Sequence, residues 1–331
     1  MNPASFDATG PLPRGRVLLE ASAGTGKTWT IAALVTRFVA EEGVPIDEML
    51  VVTFTRAATS ELRERTRARL AAAAHHLQNS ADTDDPILTH LADCDPDERA
   101  LRLRRLEDAL RSFDRATITT LHGLASRFLV EMGLLARTSP PRDIVTDHDS
   151  VVADVLNDLY AAMFVEHSEP PGLNTASAIA KRVADTPDAE ILPAPGTVDG
   201  EADMWSRFAH EVRRRLDERA AKGRTTSYDG LLLAARDAVA HPETGPLAAG
   251  RLSQRYRVAL IDEFQDTDGI QWQTVDAVFG DLAATMILIG DPKQSIYAFR
   301  GADIGAYLDA SRAATSTFTL GVNWRSDQPL L

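Results

Sequence analysis

The sequence predicts an α/β fold: a parallel sheet covered by helices on both faces, interrupted once by a mostly helical insert. Three observations predict it. Short, nearly continuous apolar runs alternate with longer stretches of helical period, as strands buried on both faces require. A glycine-rich turn joins the first of these runs directly to the first helix. Finally, the side chains able to do chemistry cluster at the carboxyl ends of the runs, where open α/β sheets bind their ligands.

Each element can be justified in order. Val17–Glu20 is the first apolar run, and Thr28–Glu41 follows with helical spacing. Leu50–Phe54 is the second, leading into a helix over Ala57–Leu77 and a helical excursion that extends from about Thr66 to Arg111. Ala116–Thr119 is the third, followed by Leu121–Met132. From about Pro140 to Arg224 the rhythm breaks into helices around a weak centre, where Pro170-Pro171-Gly172 and Pro193-Ala194-Pro195-Gly196 are strong breakers. Val258–Ile261 then leads into a helix over Gly269–Phe279, and Thr285–Ile289 into a turn after Pro292. This pattern assigns residues 1–140 and 225–320 to one discontinuous domain and 141–224 to the insert. No internal repeat or heptad run is present.

Composition narrows the function classes. Apolar residues make up 44% of the 331, enough for a sizeable core. A single cysteine, Cys94, excludes an intrachain disulfide and a cysteine-built zinc site. The amino terminus lacks the basic and apolar regions of a signal peptide, and no apolar run approaches the roughly 20 residues that span a bilayer. A soluble, cytoplasmic protein without a membrane partner is therefore expected. A net charge of −13 argues against a general nucleic-acid binder, although a local basic track would still serve. Two dense arginine stretches offer one: Arg56 to Arg69, and Arg213 to Arg224. Solvated helix faces are the plainer reading of both.

The chemistry begins at Ala21-Ser22-Ala23-Gly24-Thr25-Gly26-Lys27-Thr28, placed between a strand and a helix. Phosphate oxygens need several converging backbone N–H donors, so the loop must curl tightly, and glycine permits that. The helix amino terminus adds free donors and a favourable dipole. Lys27 would reach the β- and γ-phosphates of ATP, and the Thr28 hydroxyl would ligate Mg2+. Ala21 stands where the strict pattern has glycine, and a glycine-rich helix cap is the plain alternative.

The run ending at Ile261 delivers Asp262 and Glu263 side by side. Asp262 can complete the magnesium site, while Glu263 can orient and deprotonate the attacking water. Binding alone needs only the first acid; hydrolysis needs both. The run ending at Ile289 leads to Asp291-Pro292-Lys293-Gln294, where the neutral Gln294 amide can sense the γ-phosphate. The same residues also read as a helix start, with Asp291 as cap and Pro292 in the first turn.

With these motifs in order, the chain resembles the motors of superfamily 1 helicases of the UvrD/Rep type, most closely their RecB-like branch in the exonuclease V complex. The strings that carry the resemblance are LLEASAGTGKTWTIAAL, LVVTFTRAATSELRER, TITTLHGLASRFL, SYDGLL, ALIDEFQDTD, LIGDPKQSIYAFRGADI and NWRS, spread from about residue 15 to 326. The resemblance implies a RecA-like P-loop NTPase domain and assigns further roles. Thr53, Phe54, Thr55 and His122 match segments that contact single-stranded DNA, with Phe54 as a base-stacking aromatic. Tyr297, Phe299 and Arg300 match residues that link the nucleotide site to the strand. Arg325 matches an arginine that approaches the γ-phosphate from a second motor domain, whose start would be 321–331.

Single-stranded or end-bearing DNA and the other subunits of a RecBCD-like complex are the partners so implied, and recombinational double-strand break repair is the process. The chain stops just after NWRS, so it is read as the front part of such a motor, with a shorter insert than expected. Its adenine-reading glutamine motif is missing from residues 1–16. A nucleotide- and DNA-binding module without turnover is the alternative from a different class. A small-molecule kinase would share the loop but leave the DEFQ and QSIYAFRGAD strings without a role.

Overall fold

The computed structural model describes residues 3–22, 24–79, 82–136, 143–144, 148–164, 170–186, 189–223, 225–226, 228–280, 284–294 and 303–321. A seven-stranded sheet organises it. In chain order its elements begin with β1 (Ala4–Ser5), β2 (Arg16–Ala21), α1 (Lys27–Ala40), β3 (Met49–Thr53) and α2 (Arg56–Asn79). Two shorter helices, α3 (Pro86–Ala92) and α4 (Pro96–Arg111), lead to β4 (Thr117–Thr120) and α5 (Leu121–Met132). Both shorter helices start on Asp-Pro pairs. Asp85 accepts from the Ile87 and Leu88 N–H groups and Asp95 from those of Asp97 and Glu98, with proline at the first turn.

The chain then leaves the sheet through β5 (Asp143–Ile144) and runs through α6 (His148–Phe164), α7 (Leu173–Asp185) and α8 (Glu201–Gly223). It returns through β6 (Thr225–Thr226), which pairs in parallel with β5. Helices α9 (Tyr228–Ala240) and α10 (Gly245–Arg255) follow, then β7 (Val258–Ile261), α11 (Gly269–Phe279), β8 (Thr285–Gly290), α12 (Ile304–Ala313) and β9 (Ser316–Leu320). The spatial order of the large sheet is β1-β9-β2-β8-β7-β3-β4, and every pairing in it is parallel.

Alternate residues of each strand face opposite sides, and both sides are apolar. Val17, Leu19, Val51, Leu260, Ile287 and Ile289 pack with residues of α1 to α4. Leu18, Leu50, Val52, Ile261, Met286 and Leu288 pack with residues of α5 and α9 to α12. This double burial is why the strands read as unbroken apolar runs. A third cluster, built on Val155, Leu159, Phe164, Ala176, Ala180, Phe208 and Val212, joins α6, α7 and α8.

The parallel sheet expected from the sequence is present, with small shifts at strand ends: β4 runs to Thr120 rather than stopping at Thr119. The strand β9 and the helices α9, α10 and α12 were not among the expected elements. Every residue of β9 is only half-buried, so Ser316-Thr-Phe-Thr-Leu320 carries no strong apolar signal.

Candidate functional site

Register places the chemistry. Glu20 lies opposite Gly290, Ala21 opposite Leu320, Ile261 opposite both Leu288 and Val52, and Thr53 opposite Thr120. Because all these strands run in one direction, their carboxyl ends form a single edge. The loops leaving that edge carry residues 22–28, 54–56, 262–265 and 291–294.

The loop after β2 turns on two glycines in left-handed backbone, Gly24 at φ 84° and Gly26 at φ 83°. Thr25 braces it, its hydroxyl donating to the Ser22 carbonyl at 2.8 Å. Helix α1 then starts at Lys27 with no side-chain cap and no acidic residue in its first turn. Its leading N–H groups are left for an anion, with the positive end of the dipole behind them. Ala21, the departure from the strict motif, is the last residue of β2. Its methyl is buried in the core among the neighbours of α1, so that site has no need of glycine.

Across the edge, the Asp262 N–H bonds to the Val52 carbonyl at 2.8 Å, extending β7 by one residue. The chain then turns sharply: Glu263 adopts φ 52° and ψ 39°, a left-handed conformation that costs a non-glycine residue about 1–2 kcal/mol. The turn aims its carboxylate at the phosphate loop, where Oε2 accepts from Lys27 Nζ at 2.7 Å. Asp262 stays behind, 9% exposed, with Oδ1 buried and without a hydrogen-bond partner. Burial first, and the adjacent Glu263 charge second, push the Asp262 carboxyl up to about 7. A buried carboxylate oxygen that lacks a donor, at the same sheet edge as the Thr28 hydroxyl, fits a hard divalent cation such as Mg2+.

After β8 the chain forms a turn. The Asp291 carboxylate accepts from the Lys293 N–H at 3.1 Å and from Gln294 Nε2 at 2.9 Å. Asp291 thus bonds as a helix-start cap would, on a turn over 292–294, while the residues that would continue a helix lie outside the described residues. Gln265, to which the sequence assigns no role of its own, lies between the two loops at 2% exposure. Its signal was its place inside the DEFQ string, where nothing in the residue type announces a role.

Beside this site, at the ends of β3 and β4, a cleft of about 610 Å³ is lined by Phe54, Arg56, Thr59, Ser60, Thr119, Thr120, His122, Gly123 and Ser126. Phe54 and His122, both expected to meet DNA, thus share one surface. Thr53 does not join them: it is 1% exposed within the sheet. Thr55 caps α2, its hydroxyl accepting the Ala58 N–H at 3.1 Å. Ala23, Tyr297, Phe299, Arg300 and Arg325 lie outside the described residues.

The arginine stretches mostly follow the plainer reading. Arg63 donates to the Ala116 carbonyl, Arg63 and Arg67 lie over the Phe113 ring, Arg65 pairs with Glu61, and Arg69 pairs with Asp85. On α8, Arg214 and Arg215 pair with Glu211, Arg219 pairs with Asp158, and Arg213 donates to the Ala189 and Thr186 carbonyls. Among the described residues of the two stretches, Arg56 lines the cleft. Among the described residues no helix is long and apolar enough to cross a membrane, and no cluster of three or more metal-ligating side chains occurs.

The family model of the UvrD/REP helicase N-terminal domain matches residues 1–315. The chain is 41% identical over 330 residues to the RecBCD enzyme subunit RecB of Mycobacterium tuberculosis, covering 98% of this chain and 30% of that protein. The same figures hold for the RecBCD enzyme subunit RecB of Mycolicibacterium smegmatis. With the Escherichia coli protein of that name, identity is 29% over 439 positions, covering 95% of this chain and 37% of the relative. Those positions outnumber this chain's 331 residues, so the Escherichia coli protein carries residues with no counterpart here. The chain spans about a third of the length of these relatives.

Proposed function

The chain belongs to the UvrD/REP helicase N-terminal domain family, and we propose that it binds and hydrolyses ATP as the nucleotide-holding part of a RecB-like DNA helicase motor. Recombinational repair of double-strand breaks is the process proposed for it, with single-stranded or end-bearing DNA and the other subunits of a RecBCD-like complex as partners. One observation carries the reading. The uncapped amino terminus of α1, with Lys27 at its first position, faces a strained acidic turn whose Glu263 already meets Lys27 at 2.7 Å. Residues 236 apart in sequence have been brought to hydrogen-bond distance at a phosphate-binding loop.

The chemistry follows from these side chains. The N–H groups of the loop and of the first turn of α1 cradle the phosphates. When ATP arrives, Lys27 exchanges the Glu263 carboxylate for the β- and γ-phosphate oxygens, a more highly charged partner. Glu263, released from the ammonium, is free to orient and deprotonate the attacking water. Thr28 and Asp262 would hold Mg2+, which when bound neutralises charge across the β- and γ-phosphates. Gln294 is the candidate sensor of the γ-phosphate, and Arg325 the candidate arginine from a second motor domain. Phe54 and His122 offer the strand a surface on which bases stack without regard to sequence.

Steady-state ATP hydrolysis with and without single-stranded DNA, beside a Lys27→Ala variant, tests the reading. DNA-stimulated turnover lost in the variant is expected. Nucleotide affinity unchanged by Lys27→Ala would overturn it. Nucleotide binding that depends on Lys27, without turnover, would instead favour the binding-module alternative for this length of chain.

A further inference from the structure

Gln265 makes two hydrogen bonds of opposite kind. Its Nε2 donates to Glu263 Oε2 at 2.6 Å, and its Oε1 accepts the Asp291 N–H at 2.9 Å. A carboxylate can only accept and a backbone N–H can only donate, so one partner fixes each end of the amide. Gln265 itself is 2% exposed, so its amide is held between these two partners inside the fold. The close approach also accounts for Gly290. A Cβ there would lie 2.9 Å from Gln265 Oε1 and 3.1 Å from the Gln265 backbone nitrogen, so a side chain at 290 would press on this amide.

A continuous path results. It runs from the Glu263 carboxylate through the Gln265 amide to the Asp291 backbone, and from the Asp291 carboxylate to the Gln294 amide at 2.9 Å. Its two ends are the candidate base and the candidate γ-phosphate sensor, carried on the loops after β7 and β8.

We infer that Gln265 is a positioning residue that holds Glu263 in its attacking orientation and couples it to the Asp291–Gln294 turn. The inference rests on the ATPase reading above. Glu263 Oε2 is shared between Lys27 and Gln265. Once Lys27 turns to phosphate, Gln265 is the neutral donor that remains. It orients the carboxylate without drawing off the charge a base needs, and motion of the turn at Gln294 moves that donor through Asp291.

Two isosteric variants separate the bonds. Gln265→Glu keeps an acceptor for the Asp291 N–H but sets a second carboxylate against Glu263. Gln265→Met removes both bonds while filling the space. The readouts are kcat and KM, together with amide hydrogen exchange at Asp291 in the full chain. Both variants should lower kcat by about 10²-fold with KM changed less than about threefold, as expected for a misplaced general base. Exchange at the Asp291 amide should accelerate by about tenfold or more in the Met variant and stay near wild type in the Glu variant.

Wild-type kcat in both variants, or an unchanged Asp291 exchange rate in the Met variant, would overturn the inference. The exchange measurement needs no turnover. A protein whose nucleotide affinity ignores Lys27 would therefore sink the ATPase reading while the Gln265 bonds were still judged on their own.

Discussion

Asp262→Asn should stabilise the isolated protein at alkaline pH while destroying its use as a metal ligand. Asp262 is 9% exposed, its Oδ1 has no hydrogen-bond partner, and its carboxyl is pushed up to about 7 from 3.8. The folded state therefore holds this proton more tightly than the unfolded chain does. Its ionisation costs nothing below the unfolded value, costs progressively more as pH rises from 3.8 towards 7, and levels off above. A shift of about three units corresponds to roughly 4 kcal/mol at full ionisation. An asparagine amide buried in the same place with incomplete bonding would return about 1–3 kcal/mol of that. The net gain at about pH 8 is then on the order of 1–3 kcal/mol.

The amide penalty does not titrate, so it cancels in a pH comparison. Between about pH 5 and pH 8 the advantage of the variant should grow by about 2–3 kcal/mol. Urea unfolding in EDTA, followed by tryptophan fluorescence, measures both arms, and Trp272, 7% exposed in the core, is a suitable reporter. An advantage that does not grow with pH would refute the reasoning, since Asp262 would then carry no burial cost.

Three further outcomes are expected. Asp262→Asn should abolish the magnesium dependence of nucleotide affinity in a titration with and without the ion, and retained dependence would remove Asp262 from the metal site. Phe54→Ala should weaken single-stranded DNA binding by about 1–3 kcal/mol if Phe54 stacks on a base, with ATP affinity unchanged by equilibrium titration; loss of both would mark a folding defect. Two glycines of α10 should respond in opposite directions. A Cβ at Gly245 would lie 2.3 Å from the Val239 carbonyl oxygen, whereas a Cβ at Gly250 meets nothing within 4 Å. Thermal melting should show Gly245→Ala destabilised by about 1–3 kcal/mol and Gly250→Ala stabilised by up to about 1 kcal/mol.

Much of the site was legible because its pieces are local. The phosphate loop is a contiguous string whose glycines must take positive φ, and Gly24 and Gly26 do. The paired acids at 262 and 263 follow an apolar strand, and a strand buried on both faces announces itself in composition alone. A family resemblance points to Phe54 and His122, and both lie on one cleft. It points equally to Thr53, which lies inside the sheet, because a segment match carries no information about which face a given side chain takes. The arginine stretches read ambiguously for a related reason. Whether Arg69 meets a ligand or Asp85 depends on which helix packs beside α2, and nothing within α2 specifies that.

From the sequence alone came the α/β class, the direction of the strands and the residues of the nucleotide loops. Backbone sterics and apolar periodicity act over a few residues, and local text records them. The tertiary structure alone decided the order β1-β9-β2-β8-β7-β3-β4, the place of β9 between β1 and β2, the meeting of Lys27 with Glu263, and the Gln265 bridge between two loops. Those depend on contacts between segments tens to hundreds of residues apart. Their free energy comes from burying both faces of one sheet together, so no short stretch of sequence contains it.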